Sequence, residues 1–248
     1  MALDALLFDK DGTLVDFDAT WGPAAYAAMR ELSRGDAGAL AALMEASRFV
    51  EEEMRFLPSS PLVAGSSAEY GPVWARALGR EATPDFFAEM DALFRVHGLA
   101  HLTPIHDPLG VLGRLAARGL ALGIATNDAE ASAHAQAQAL GLTPFLDFVA
   151  GYDSGFGSKP APGMVGAFVA KTGLAPHRVG MVGDSLHDLH AARAAGVVAI
   201  AVLTGPRAEA ARPEIEPHAD HVVPSIAELE ALLDTLSAKA APSASPSA

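Results

Sequence analysis

No cysteine occurs among the 248 residues, so disulfides and thiolate chemistry are excluded and nothing points to an oxidising compartment. Positive charge is scarce as well. Lysine and arginine total 17 against 30 acids, a formal net charge of −13, which argues against nucleic-acid or anionic-membrane partners because those require basic patches. The four lysines are Lys10, Lys159, Lys171 and Lys239; an anionic substrate must be drawn in by local positive charge or by a metal. Long apolar runs are missing too. Stretches such as Val197 to Leu203 fall far short of the roughly 20 residues a membrane-spanning helix needs. The segment Met1-Ala2-Leu3-Asp4 lacks the basic region of a secretory signal, and no internal repeat is found, so a cytoplasmic protein is expected. With 50% of its residues apolar, the chain can bury a full core in one large or two modest domains.

What is present is concentrated in four short segments. They are Phe8-Asp9-Lys10-Asp11-Gly12-Thr13, Ala125-Thr126-Asn127-Asp128, Lys159-Pro160, and Val182-Gly183-Asp184-Ser185 followed by Asp188. Each is a polar island just after an apolar run that reads as a buried strand, and ligands of open α/β sheets bind beyond the carboxyl ends of such strands. Acids, one hydroxyl and one lysine would converge on one crevice, a set suited to phosphoryl transfer.

Periodicity supplies the frame. Ala5 to Phe8 reads as a short buried strand that stops at Asp9, with Gly12 providing the freedom to turn. From about Asp16 to His97 the pattern is helical throughout, with apolar spacings of three and four over Trp21 to Leu32, Leu40 to Phe49, Tyr70 to Leu78 and Phe86 to Val96. Pro58, Pro61, Gly65 and Ser66 divide it into two helical pairs. After Pro104 helices alternate with strands: helix Leu109 to Ala117, strand Leu120 to Ala125, helix Ala129 to Leu140, strand Phe145 to Ala150, helix Pro162 to Thr172, strand Val179 to Val182, helix Leu186 to Ala195 and strand Val197 to Val202. Ser225 is the expected cap of a final helix. Repeated βα units imply a parallel sheet covered on both faces. The expected organisation is an α/β core of residues 1–15 and 98–236, a small inserted helical cap domain of residues 16–97, and a disordered tail of residues 237–248 rich in Ala, Pro and Ser.

With these motifs in this order, the chain resembles the haloacid dehalogenase (HAD) superfamily hydrolases with a helical cap, and is most similar to their phosphoglycolate phosphatase and β-phosphoglucomutase group. The resemblance implies a HAD-like Rossmannoid core and a phosphatase. It makes Asp9 the nucleophile that forms a phosphoaspartyl intermediate. It also implies a Mg²⁺ cofactor held by the Asp9 carboxylate, the Asp11 backbone carbonyl and the Asp184 carboxylate, with Asp188 orienting the groups around it. Asp11, two residues beyond Asp9 and pointing the same way at strand spacing, becomes general acid and then base. Thr126, Asn127 and Lys159 hold the phosphoryl oxygens, Lys159 as a point charge. The substrate is a small phosphorylated metabolite, 2-phosphoglycolate being one candidate, handled by a monomer or homodimer. No lysine lies between Asp11 and Ser158, which argues against the cap-lysine Schiff base of phosphonoacetaldehyde hydrolase relatives. The acid at Asp11 argues against haloacid hydrolysis.

Plainer readings stand beside these. Asp9 and Asp11 could belong to a solvated loop; Asn127 or Asp128 could cap the next helix; Asp184 and Asp188 could be first-turn acids favoured by the helix dipole. His187 and His190 read as surface decoration, since a Mg²⁺ site does not call for imidazole. Two residues depart from the group's pattern. Lys10 stands where an apolar residue is common and is expected to point away from both acids, its stem packed and its ammonium in water. Phe17 replaces a small polar residue, and neither change is expected to touch the catalytic set. Within the cap, Arg48, Arg55 and the Pro58 to Ser67 loop are candidates for gripping a substrate carboxylate or second phosphate. A sugar phosphomutase of the β-phosphoglucomutase type, or a non-catalytic phospho-ligand binding protein, are the alternatives to a phosphatase. Cap closure would hinge near Asp16 and between His97 and Pro104.

Overall fold

The computed structural model describes residues 2–63, 65–205 and 208–240. Its centre is a six-stranded parallel sheet. The strands are β1 (Ala5–Phe8), β4 (Ala121–Ala125), β5 (Phe148–Ala150), β6 (Val179–Gly183), β7 (Val198–Val202) and β8 (His221–Val223), in the order β5-β4-β1-β6-β7-β8. Side chains alternate across the sheet. Leu6 and Phe8 enter one apolar cluster with Leu112, Ile124, Val182 and Leu229, while Ala5 and Leu7 enter the opposite one with Phe168, Met181 and Leu189. Helices cover both faces: α5 (Pro108–Ala117), α6 (Glu130–Ala139), α7 (Gly163–Thr172), α8 (Leu186–Ala195), α9 (Ala208–Ile215) and α10 (Leu229–Ala240). This is the expected α/β class.

Register positions the site. Phe8 pairs with Ile124 on one side and with Val182 on the other, so the three central strands run out at one level. Asp9 extends the pairing by donating its N–H to the Val182 carbonyl at 2.8 Å. The loops that carry Asp9, Thr126 and Asp184 therefore open side by side.

Between β1 and β4 the chain builds a helical layer of α1 (Phe17–Leu32), α2 (Ala37–Ser47), α3 (Ser67–Ala77) and α4 (Pro84–Ala100). Side-chain caps start them: Asp16 accepts from Ala19 N–H at 3.0 Å, Asp36 from Gly38 at 2.8 Å, and Thr83 precedes Pro84 in the first turn of α4. The layer has an apolar core of its own, with Trp21, Met29, Trp74, Phe86 and Phe94 buried together. The expected unbroken helical pattern is corrected at one place. Arg48 and Met54 adopt left-handed backbone that ends α2 and turns a two-stranded ribbon, β2 (Phe49–Val50) with β3 (Arg55–Phe56). The two chain passages between layers lie together: Asp16 N–H donates to the Thr103 carbonyl at 2.8 Å and Ile105 N–H to that of Leu14 at 2.9 Å.

Other boundaries shift slightly. The chain at Thr143–Phe145 is a 3₁₀ turn, so β5 starts at Phe148. α9 and β8 escaped sequence reading, the helix because Pro213 interrupts its pattern and the strand because three residues carry too little periodicity. Ser225 caps a 3₁₀ turn that runs on into α10, which extends through Ala240. Residues 237–240 are thus helical, and the rest of the expected tail lies outside the described residues.

Candidate active site

A cavity opens between the sheet's carboxyl edge and the helical layer. Its floor carries Asp9, Asp11, Thr126, Asn127, Lys159 and Asp184. Lys159 is the hinge of this floor. Its ammonium is 3% exposed and donates to Asp9 Oδ1 at 2.5 Å, Asp188 Oδ1 at 2.6 Å and the Ala125 carbonyl at 2.8 Å. Asn127 fixes the lysine's backbone from across the sheet, its Oδ1 accepting from Lys159 N–H at 2.8 Å and its Nδ2 donating to the Lys159 carbonyl at 2.9 Å. The donor expected of Asn127 toward the phosphoryl group is its backbone N–H; its side chain is engaged in placing Lys159.

Asp188 serves two readings at once. It completes a capping box at the start of α8, accepting from Ser185 N–H at 3.1 Å and Ser185 Oγ at 2.7 Å, while its other oxygen takes the Lys159 ammonium. Oxygens of Asp9, Asp184 and Asp188 all lie within 4.8 Å of one another. Burial is the first cause that pushes the Asp9 carboxyl up to about 7, against the pull of Lys159, and burial followed by repulsion from Asp9 and Asp188 raises Asp184 well above the usual range. Three carboxylates face one ammonium, leaving a deficit of two positive charges (3 − 1 = 2) if all are ionised. An all-oxygen cluster with that deficit fits a hard divalent cation. The backbone makes room for it: Gly12 adopts a φ of +85°, and a Cβ there would stand 2.5 Å from Asp184 Oδ2.

The expectation for Lys10 is overturned. It is 2% exposed, and its ammonium donates to Asp11 Oδ1 at 2.7 Å and Gln136 Oε1 at 2.8 Å, with Asp128 Oδ2 at 3.2 Å. Period two fails because β1 has ended at Phe8: the chain curls so that the N–H groups of Leu14 and Val15 both donate to the Lys10 carbonyl. Burial pulls the Lys10 ammonium down, but attraction to Asp11 and Asp128 outweighs it, and the net shift is upward. Trp21, reaching from α1, donates its indole N–H to the same Asp11 Oδ1 at 2.5 Å, and its ring lies 4.8 Å from the Lys10 ammonium. Two donors thus occupy Oδ1, while Oδ2 has Thr126 Oγ1 at 3.4 Å. Asp11's side chain is held from both layers.

The other departure also belongs to the site. Phe17 lines the cavity's upper wall beside Trp21, Phe56, Leu62, Tyr70 and Phe94. The Pro58 to Ser67 loop reaches this wall through Leu62, Val63 and Gly65, but Arg48 and Arg55 do not line it: Arg48 donates to Ser59 at 2.8 Å and Arg55 to Glu53 at 2.5 Å. His187, read as surface decoration, lines the core side, whereas His190 turns away to pack on His218. Lys10, Trp21, Gln136 and Asp128 were missed as a unit because they come from four separate stretches. The one sequence signal was a lysine directly between two acids in a chain with few lysines. Tyr152 adds a further bond between the layers, donating to Asp91 Oδ2 at 2.8 Å.

A haloacid dehalogenase-like hydrolase family profile matches residues 3–196. The chain belongs to this family. A phosphoglycolate phosphatase from Rhodospirillum rubrum is 36% identical over 214 residues, covering 81% of this chain and 80% of the relative. One of the same name from Chromobacterium violaceum is 32% identical over 204 residues, covering 81% and 85%. Among solved structures, CbbY from Rhodobacter sphaeroides in complex with phosphate superposes with a TM-score of 0.70 at 22% identity, covering 92% of this chain and 96% of that one. This HAD-like hydrolase is a phosphatase. No helix among its described residues is long and apolar enough to cross a membrane.

Proposed function

We propose that this phosphatase hydrolyses small phosphomonoesters through a phosphoaspartate on Asp9, with Mg²⁺ as cofactor, in the cytoplasm. The observation that carries the reading is the junction of Asp9, Lys159, Asp184 and Asp188 at the sheet edge, two positive charges short of balance. The Asp9 and Asp184 carboxylates and the Asp11 backbone carbonyl would hold Mg²⁺. When bound, it supplies charge against the repulsion between a carboxylate and a phosphate, about 4 kcal/mol for each pair of like unit charges ~4 Å apart at an effective dielectric near 20.

An Asp9 oxygen attacks phosphorus while Asp11 gives a proton to the departing alkoxide, so that an alcohol leaves and an acyl phosphate forms on Asp9. With Oδ1 of Asp11 occupied by Lys10 and Trp21, the proton travels on Oδ2. Asp11 then takes a proton from water, whose oxygen attacks the same phosphorus and releases Asp9 and inorganic phosphate. The Lys159 charge beside Asp9 offsets that of the transferring group through both steps, and the Thr126 hydroxyl holds a phosphoryl oxygen. The phosphomutase alternative is weaker, because the aromatic upper wall offers few partners for sugar hydroxyls.

Phosphate release from a panel of esters, with Mg²⁺ and with excess chelator, tests the reading together with acid-stable trapping of phosphoenzyme. Metal-dependent release is expected, and Asp9→Asn should abolish both release and phosphoenzyme. Full activity in Asp9→Asn would sink the proposal.

A further inference from the structure

The upper wall of the cavity says which alcohol leaves. We propose that the preferred substrate is the phosphate ester of an uncharged alcohol with an apolar body, and that a carboxylate-bearing ester such as 2-phosphoglycolate is selected against. The inference rests on the phosphatase reading and extends it to the leaving group.

Phe17, Trp21, Phe56, Leu62, Tyr70 and Phe94 face the space beyond the phosphoryl end. The polar atoms of the two amphipathic rings are already engaged: the Trp21 indole N–H is donated to Asp11 at 2.5 Å, and the Tyr70 hydroxyl sits 3.1 Å from Ser67 Oγ. Every acidic side chain on the lining, Asp9, Asp11, Asp128 and Asp184, would repel a second anionic group. Among the described residues Lys159 is the one lysine or arginine on the lining, and its three N–H bonds go to Asp9, Asp188 and the Ala125 carbonyl. His187 stands on α8, on the core side. Two cap arginines that precede the cavity loop, Arg48 and Arg55, bond to Ser59 and Glu53 instead. A carboxylate on the leaving alcohol would meet rings and acids, with no guanidinium fork among the described lining residues to receive it. An apolar body would meet a wall of matching chemistry.

The experiment compares kcat/KM for three esters with alkyl leaving groups: 2-phosphoglycolate, ethyl phosphate and benzyl phosphate. Hydrolysis of acetyl phosphate, which needs no proton on its leaving group and little of the upper wall, is the control for the phosphatase reading. Expected is the order benzyl, ethyl, 2-phosphoglycolate, spanning at least ~100-fold. A second measurement uses Val63→Arg, at a half-buried position on the cavity loop. It should raise the ratio of 2-phosphoglycolate to benzyl phosphate turnover by about tenfold, a ratio insensitive to the fraction of folded enzyme. A preference for 2-phosphoglycolate with acetyl phosphate turned over would overturn the inference and leave the phosphatase reading standing. Failure to cleave any ester or acetyl phosphate would take down both.

Discussion

Two buried lysines sit under the same cavity, each bridging a pair of aspartates, and they differ in what surrounds them. Lys159 joins Asp9 to Asp188 beside a third acid, Asp184, and the neutral donors there, Ser185 to Asp188 and Thr13 to Asp184, bring no positive charge. Lys10 joins Asp11 to Asp128, and there the Trp21 indole and the Gln136 amide share the load. A buried charge has to be paired and hydrogen-bonded or it shifts its protonation. The first cluster is left short of positive charge, which suits it to receive a cation and a phosphoryl group. The second is furnished from within the protein, which suits it to hold one carboxylate still. The same residue type thus stands in a charge-deficient cluster in one place and steadies a single carboxylate in the other.

That contrast can be broken at either lysine. Lys159→Met removes the one ammonium of the Asp9 cluster, and under the proposed mechanism steady-state kinetics should show kcat/KM down by about 10³-fold for esters and for acetyl phosphate alike. Lys10→Met should act selectively. Misplacement of Asp11 slows benzyl or ethyl phosphate cleavage by about 10²-fold, while phosphoenzyme formation from acetyl phosphate, whose acetate leaves unprotonated, stays near wild type. Equal losses on both substrates would erase the distinction between the clusters. The same variant leaves Asp11 and Asp128 without their ammonium, so urea unfolding should show a loss of about 3 kcal/mol.

The charge deficit of the Lys159 cluster gives a pH signature. In metal-free protein the folded state holds the Asp9 proton up to about pH 7, whereas the ordinary carboxyl value is 3.8. Its contribution is fully present below that lower value and is lost as pH rises toward 7, because the unfolded chain then binds fewer protons than the folded one. Urea titrations in chelator at pH 5 and pH 7 should show wild type losing about 2 kcal/mol relative to Asp9→Asn. Added Mg²⁺ should shrink that loss. A flat difference would mean that Lys159 already balances the cluster. The smallest expected effect sharpens the other side: Trp21→Phe keeps the ring and removes one donor to Asp11, so ester hydrolysis should fall only about tenfold.

Much of the site was legible because parallel sheets place function at strand ends. Asp9, Thr126 and Asp184 each follow a short buried run, and the register that pairs Phe8 with Ile124 and Val182 turns three separate motifs into one edge. Lys159 stood out through scarcity. The Lys10 cluster was not legible, since period-two reasoning assumes an extended chain and the loop after Phe8 curls at Lys10. Arg48 and Arg55 were misjudged for a related reason: a cap arginine's reach depends on which way α2 and the β2–β3 ribbon turn, and left-handed backbone at Arg48 and Met54 has no strong local signature in residues of those types.

By itself the sequence determined the α/β class, the inserted helices and the acids, hydroxyl and lysine at the strand ends, because alternation of apolar runs with polar islands is a local property of the chain. Only the tertiary structure decided which lysine serves which carboxylate and what faces the leaving group. Those contacts join residues from separate elements, Trp21 with Asp11 between the two layers and Asn127 with Lys159 along the sheet edge, and no one-dimensional pattern carries the direction in which a side chain crosses a cavity.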